Sequence, residues 1–239
     1  MIKKMRALGH IMVGMPLIAA CLVPGLAAAQ SIETVNVENR SLRLPVPAGY
    51  CKFTRESQLE IELVRMQDTA QAGKNRVLLL FGDCAQLQKI RAGALARIAN
   101  YGMYLSPLAG GKMMAVPANL SRANALREIA ASLPALDMAQ IEKDSSARTS
   151  SMGVGMEKPV MGLLETDANA VYAGMGATYT DQASGFKGRV NGVIVMTVLQ
   201  TTVVTQNLYE PAGTGAPFQR LLKAQKENAR LLIEANAVK

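Results

Sequence analysis

The sequence predicts an α+β fold in which one antiparallel β-sheet is covered by helices, and three observations lead there. Four strand-like runs follow one another from Val160 to Tyr209 with short links between them, which favours antiparallel neighbours. Apolar residues recur at helical spacing in Leu59, Leu63, Met66 and Ala70, and again in Leu126, Ile129 and Leu133. The chain closes on an amphipathic helix with one stripe of Phe218, Leu221, Leu222, Ala229, Leu232 and Ile233.

Taken in order, residues 1–29 read as a secretory signal. Lys3, Lys4 and Arg6 form a basic n-region, Ile11 to Val23 an apolar stretch, and Ala27-Ala28-Ala29 a small-residue cleavage site. Pro24-Gly25 ends the apolar run short of the roughly 20 residues a membrane span needs, so no transmembrane span is expected after cleavage. Ile18-Ala19-Ala20-Cys21 also resembles a lipobox, which would make Cys21 an acylated N-terminus. Apolar Leu22 to Leu26 then stand where a polar tether normally starts, and simple cleavage before Gln30 accounts for the alanines better. The expected location is the bacterial periplasm.

Residues 30–41 form a polar leader, and 42–239 a single domain. Leu42 to Phe53, with Pro45, Pro47 and Gly49, suits an extended edge segment. Ser57-Gln58-Leu59-Glu60 is a capping-box signature for a helix reaching about Gln71. Arg76 to Phe81 is a buried strand, and Asp83 can cap a short helix carrying Leu87 and Ile90. Arg97 to Leu108 is extended and turns at Gly110-Gly111 into Lys112 to Val116. Asn119 or Ser121 can cap the next helix, which Pro134 stops. Polar residues from Glu142 onward suggest a mobile loop over 142–159. The β pattern then runs through Val160–Glu165, Ala170–Tyr179, Val190–Gln200 and Thr201–Tyr209, with turn chemistry at Thr166-Asp167-Ala168-Asn169. Pro217 fits the first turn of the terminal helix.

Composition limits the chemistry. The chain has one His, three Cys and no Trp. Cleavage after Ala29 removes His10 and Cys21, leaving Cys51 and Cys84. In an oxidising compartment these two are expected to form a disulfide, which the chain-entropy model values at about 3.5 kcal/mol. The formal charge is +8, three units of it in the signal, and the remaining basic residues are scattered. No nucleic-acid surface is expected from them.

The element order, with Val190 to Tyr209 leading through Glu210-Pro211 into an amphipathic helix that ends at Ala235-Asn236, resembles PsbP-like and DcrB-like proteins. That resemblance spans Leu42 to Asn236 and implies an α/β/α sandwich with a non-enzymatic binding or assembly role. It carries over no site residue, and the Cys51 and Cys84 pair is a departure the superfamily does not require.

Without a histidine, serine and cysteine nucleophiles lack their usual imidazole base, and a zinc site lacks its commonest ligands. An all-carboxylate magnesium or calcium site stays open, but no cofactor is expected. Gly153-Val154-Gly155 and Gly174-Met175-Gly176 read as strand punctuation, lacking the third spaced glycine of a dinucleotide loop. Ser184-Gly185-Phe186-Lys187 matches the SxxK spacing of Ser-Lys nucleophiles, within a glycine-flanked loop and without companion motifs. Asp181, Glu165 and Asp167 could form paired carboxylates. Met113, Met114, Met175 and Met196 could be a soft metal set, though core packing explains them more simply. The sequence therefore points to a non-catalytic accessory or binding protein that engages an envelope protein or small ligand. A histidine-independent hydrolase or transferase using carboxylates or Ser184 with Lys187 is the alternative.

Overall fold

A computed structural model of the protein describes residues 31–150, 154–182, 184–213 and 217–237. The expected signal, with His10 and Cys21, lies outside them. In chain order the elements are β1 (Ile32–Val37), β2 (Arg40–Pro45), β3 (Tyr50–Lys52), α1 (Gln58–Gln71), β4 (Asn75–Asp83), α2 (Cys84–Arg91), β5 (Tyr101–Ala109) and β6 (Lys112–Met113). There follow α3 (Arg122–Ser132), a 3-10 turn (Leu133–Ala135), α4 (Met138–Ser150), β7 (Val154–Thr166), β8 (Val171–Asp181), β9 (Lys187–Leu199), β10 (Thr202–Pro211) and α5 (Pro217–Ala235).

The sheet runs β3-β4-β5-β10-β9-β8-β7, and every adjacent pair is antiparallel. Strand β6 pairs with β5 off that path, while β1 and β2 form a separate hairpin. The α+β architecture predicted from the sequence is present. Side-chain alternation along the central strands divides the interior in two. Val193, Val204 and Leu208 point to the side covered by α5, through Leu221 and Leu232, and by Leu42 and Leu44 of the hairpin. On the opposite side Val64 of α1 packs over Leu80, Met103 and Leu105, and Ala125 of α3 packs against Val198 and Val203.

Local signals explain most helix starts. The Ser57 hydroxyl accepts from the Glu60 amide at 3.2 Å, Asp83 from Gln86 at 2.9 Å, and Ser121 from Asn124 at 3.3 Å. Each satisfies one of the amides that an isolated helix terminus leaves open. Gly110 and Gly111 both take positive φ in the β5–β6 turn, a conformation that costs glycine little.

Two expectations need correction. Of the expected 30–41 leader, the described residues 31–41 lead into β1, the hairpin turn and the start of β2 rather than a loose tail, and Gln30 lies outside the described residues. Val35 and Val37 pack on the core, and Glu38 and Asn39 close the turn with φ values of 46° and 62°. The 142–159 stretch forms the rest of α4 and the start of β7, with residues 151–153 outside the described set. Asp137 caps this helix by accepting from the Gln140 amide at 3.0 Å, and the Gln140 side chain donates to Asp144 one turn on at 2.5 Å. Contacts to β7 complete it: Ser146 Oγ donates to the Met156 carbonyl and the Lys158 amide donates to Glu142. Tertiary partners of this kind override a polar local composition.

Cys51 and Cys84 are bonded, with their Cα atoms 5.0 Å apart. The bridge fixes β3 to the start of α2. The far end of α2 is held by Arg91, which donates to both oxygens of Glu60 at 2.9 and 3.3 Å. Glu60 is fully buried and accepts as well from the amides of Thr54 and Glu56. Burial alone would raise its carboxyl pKa, but the Arg91 guanidinium and the two amides outweigh it and hold the group below its ordinary value. Stability from such a depressed carboxyl is complete above its unfolded pKa of about 4.3 and is lost as pH falls through the lower folded value. Melting temperature followed from pH 7 into the acid range should therefore drop more steeply for the wild type than for Glu60→Gln, which should start lower at neutral pH.

A polar seam lies beneath α5. Gln225 is fully buried and donates to the carbonyls of Val193 and Gln206 at 2.9 and 3.0 Å. The side-chain amide of Gln206, also fully buried, has no hydrogen-bond partner. Leaving a buried polar group unpaired costs about 1–3 kcal/mol, and removing the group removes that cost. Gln206→Leu should melt no lower than the wild type, whereas Gln225→Leu should lose about 1–3 kcal/mol in urea unfolding.

Candidate functional site

The residues singled out by sequence fall into three places. At one end of the sheet, Arg97 forms an ion pair with Asp181 and donates to Ser184 Oγ at 3.0 Å, its guanidinium lying 5.0 Å from the centre of the Phe186 ring. The Gln86 side chain accepts from the Ala99 and Asn100 amides. Residues 92–100 thus strap α2 to the β8–β9 loop. Ser184 Oγ also accepts from the Phe186 amide, while Lys187 faces Glu157 at 4.0 Å and is 65% exposed. Ser184 and Lys187 each address a different neighbour, so the SxxK spacing does not assemble a nucleophile with its base.

The methionines are dispersed. Met113 is buried in the core and Met114 is exposed. Met175 pairs in register with Gly192 and Met196 with Val171, four residues further along the strands, a separation of about 13 Å. Among the described residues no group of three or more His, Cys, Asp or Glu is placed to hold a metal ion. Of the glycine pairs, Gly174 and Gly176 sit inside β8, and Gly155 lies in β7 with Gly153 outside the described residues.

Glu165 and Asp167 do come together, beside α5. Glu165 Oε1 accepts from Lys226 Nζ at 2.5 Å. Asp167 accepts from the amides of Asn169 and Ala170 and, through its other oxygen, from the Tyr172 hydroxyl at 2.9 Å. The hydrogen bond to Glu165 raises the Lys226 pKa, with the charges of Glu165 and Asp167 adding to it and desolvation opposing. Burial, then the bond to Asp167 and the two carboxylate charges, raises that of the Tyr172 phenol. An acid–base pair would need one group near neutrality with a free face. Here Glu165 is neutralised by a lysine and Asp167 is spent on a turn. Their surroundings form a shallow depression of about 750 Å³ lined by residues that include Asp167, Asn169, Leu222, Lys223, Lys226 and Arg230. Its charges are of both signs, Asp167 and Glu227 beside Lys223, Lys226 and Arg230.

Next to this depression runs the feature that sequence reasoning missed. Strand β7 ends the sheet, and among the described residues β8 is its only strand neighbour. Its first part is covered by α4, through Ser146 on Met156 and Glu142 on Lys158. The Leu133–Ala135 turn and α3 also touch β7, yet beyond Pro159 the side chains of Val160, Leu163 and Leu164 are 64%, 46% and 41% exposed. Leu164 reaches over Gly174 beside Phe218 of α5, and Glu165 joins the strand to Lys226. The α5 side of this aliphatic edge thus ends at the Glu165–Lys226 ion pair. The sequence signal was the run Val160-Met161-Gly162-Leu163-Leu164, unbroken by charge, but only the topology places it at a margin.

At the opposite side of α5's first turns, Arg220 forms an ion pair with Glu210. Burial, with the charges of Glu210 and Asp83 adding and Arg220 opposing, pushes the Tyr50 phenol up to about 12. These groups are mutually satisfied, except for Glu210 Oε1, which is buried without a hydrogen-bond partner. In comparison with known proteins, the chain matches no family model and no curated relative.

Proposed function

We propose that the protein is a non-catalytic accessory protein of the bacterial envelope, exported to the periplasm, that binds another protein along the open half of β7 and the adjoining face of α5. The observation that carries this reading is the aliphatic edge itself. Three large apolar side chains are exposed within five residues of an edge strand, Val160 and Leu164 on the α5 side near the Glu165–Lys226 ion pair and Leu163 on the other, an apolar margin of the kind that protein interfaces cover. An exposed strand edge supplies main-chain hydrogen bonds to an extended partner segment and takes alternate side chains on each face.

Export rests on the basic n-region, apolar run and alanine triplet of residues 1–29, and the Cys51–Cys84 bond supports an oxidising destination. The layered arrangement, with α5 on one side of the sheet and α1 and α3 on the other, supports the likeness to PsbP-like and DcrB-like proteins and their accessory roles. Against a Ser-Lys or carboxylate enzyme stand the separate partners of Ser184, Lys187, Glu165 and Asp167.

Complementation of a deletion strain separates the two classes. Val160→Lys with Leu163→Lys should abolish rescue while the purified protein melts close to the wild type, since both residues lie on the surface. Ser184→Ala and Lys187→Ala should each rescue fully. Loss of rescue by Lys187→Ala at unchanged melting temperature would replace this reading with the enzymatic one.

A further inference from the structure

We infer that the open half of β7 pairs with the same segment of a second copy of this chain, joining two sheets across a two-fold axis at Gly162. This rests on the proposed role of that edge as a binding surface and names its occupant.

The argument begins with which side chains share a face. Val160 lies against Gly176, Leu164 lies against Gly174 beside Phe218, and Glu165 reaches Lys226, so all three sit on the α5 side. Met161 and Leu163 stand in register with Met175 and Ala173 and occupy the other side. Both Leu164 and Glu165 fall on the α5 side because the register shifts between Leu163 and Glu165.

The segment is consequently symmetric about Gly162, with an aliphatic residue one and two places away in each direction. Antiparallel pairing of two identical edges sets like faces together, because the two-fold axis stands perpendicular to the sheet. With Gly162 opposite its own copy, Val160 meets Leu164 on the α5 side and Met161 meets Leu163 on the other. Each exposed aliphatic residue then covers another. A slip of one residue would set Val160 opposite Leu163, which point to opposite faces, and a slip of two would set Gly162 opposite Val160 or Leu164 and leave that aliphatic residue without an apolar partner. A foreign strand needs no such symmetry in its acceptor.

The limits of the open stretch agree with this pairing. At one end α4 takes the Lys158 amide and the Met156 carbonyl, and Pro159 has no amide to offer. At the other, Asp167 turns the chain away by accepting from Asn169 and Ala170. Antiparallel alignment brings the Lys158 end of each copy to the Glu165–Lys226 ion pair of the other. A Cβ built on Gly162 would touch nothing within 4 Å, so the axis position is unobstructed.

The test uses the mature chain, with Cys51 and Cys84 bonded. Sedimentation velocity over a dilution series should show a dimer that dissociates on dilution, and Leu163→Lys should be monomeric with the melt of the wild type diluted to its monomer. Cross-linking then reads the register. Directly opposed residues in an antiparallel pair have Cα atoms about 4.5–5.5 Å apart, within disulfide range. Gly162→Cys should oxidise to a covalent dimer, Val160→Cys and Leu164→Cys should not when alone, and a mixture of those two should cross-link. A chain that stays monomeric throughout, a Leu163→Lys protein that remains dimeric, or failure of both Gly162→Cys and the mixture to cross-link overturns the inference. A monomeric wild type whose Val160→Lys/Leu163→Lys variant still loses complementation would remove the second copy as occupant and leave the edge as the binding surface.

Discussion

A sheet that does not close on itself leaves a row of backbone amides and carbonyls at each margin, and every such group needs a partner or water. The two margins of this sheet are treated oppositely. At one, β3 is only three residues long, its continuation gives the Phe53 amide to the Leu80 carbonyl, and the Cys51–Cys84 bridge locks it to α2. At the other, β7 runs for 13 residues, and α4 covers its first part and leaves the second open. Shortness and pairing are the usual protections of an edge, and among the described residues the stretch beyond Pro159 has no strand on its outer side. Exposed Val160, Leu163 and Leu164 are tolerable there if something covers them in the working state.

The helices are arranged around that asymmetry. Helix α5 crosses one face from β2, where Asn236 exchanges hydrogen bonds with the Arg43 backbone, to β7, where Lys226 holds Glu165. It thereby fixes the open strand to the hairpin side of the core. The core is poor in aromatics and compensates with close backbone approaches. The Tyr209 ring fills the space a side chain on Gly192 would take, and Phe81 does the same at Gly102. Packing of this kind is rigid, so the edge is presented on a firm support. Of its charged neighbours, Lys226 is paired with Glu165 and Arg230 with Glu227 and Glu234.

Much of this was legible in the sequence wherever the signal was local. Ser57, Asp83 and Ser121 announced their helices because a cap acts within three residues, and the stripe from Phe218 to Ile233 announced α5 because periodicity is a property of one segment. The cysteine pair was legible from elimination, two thiols being left once Cys21 is assigned to the expected signal. Two elements were hidden by their own polarity: β1, whose strand character lies in alternate valines facing the core, and α4, whose Ser and Lys content matched a loop until β7 supplied partners. The candidate site was the least visible. Glu165 and Asp167 were named, but Lys226, which neutralises Glu165, lies 61 residues away in sequence. That β7 stands at a margin follows from a strand order set by pairings across the whole chain, to which a reading of one segment has no access.

Amide hydrogen exchange tests the asymmetry of the margins most directly. In the Leu163→Lys protein, studied dilute so that no second copy intervenes, the outward-facing amides among residues 160–166 should exchange far faster than those of central β10 from Val203 to Leu208. The Lys158 amide, held by Glu142, should be slowed relative to that open stretch. Protection across residues 160–166 equal to that of β10 would show the edge to be covered within a single chain and would contradict the reading of β7 as an open binding margin.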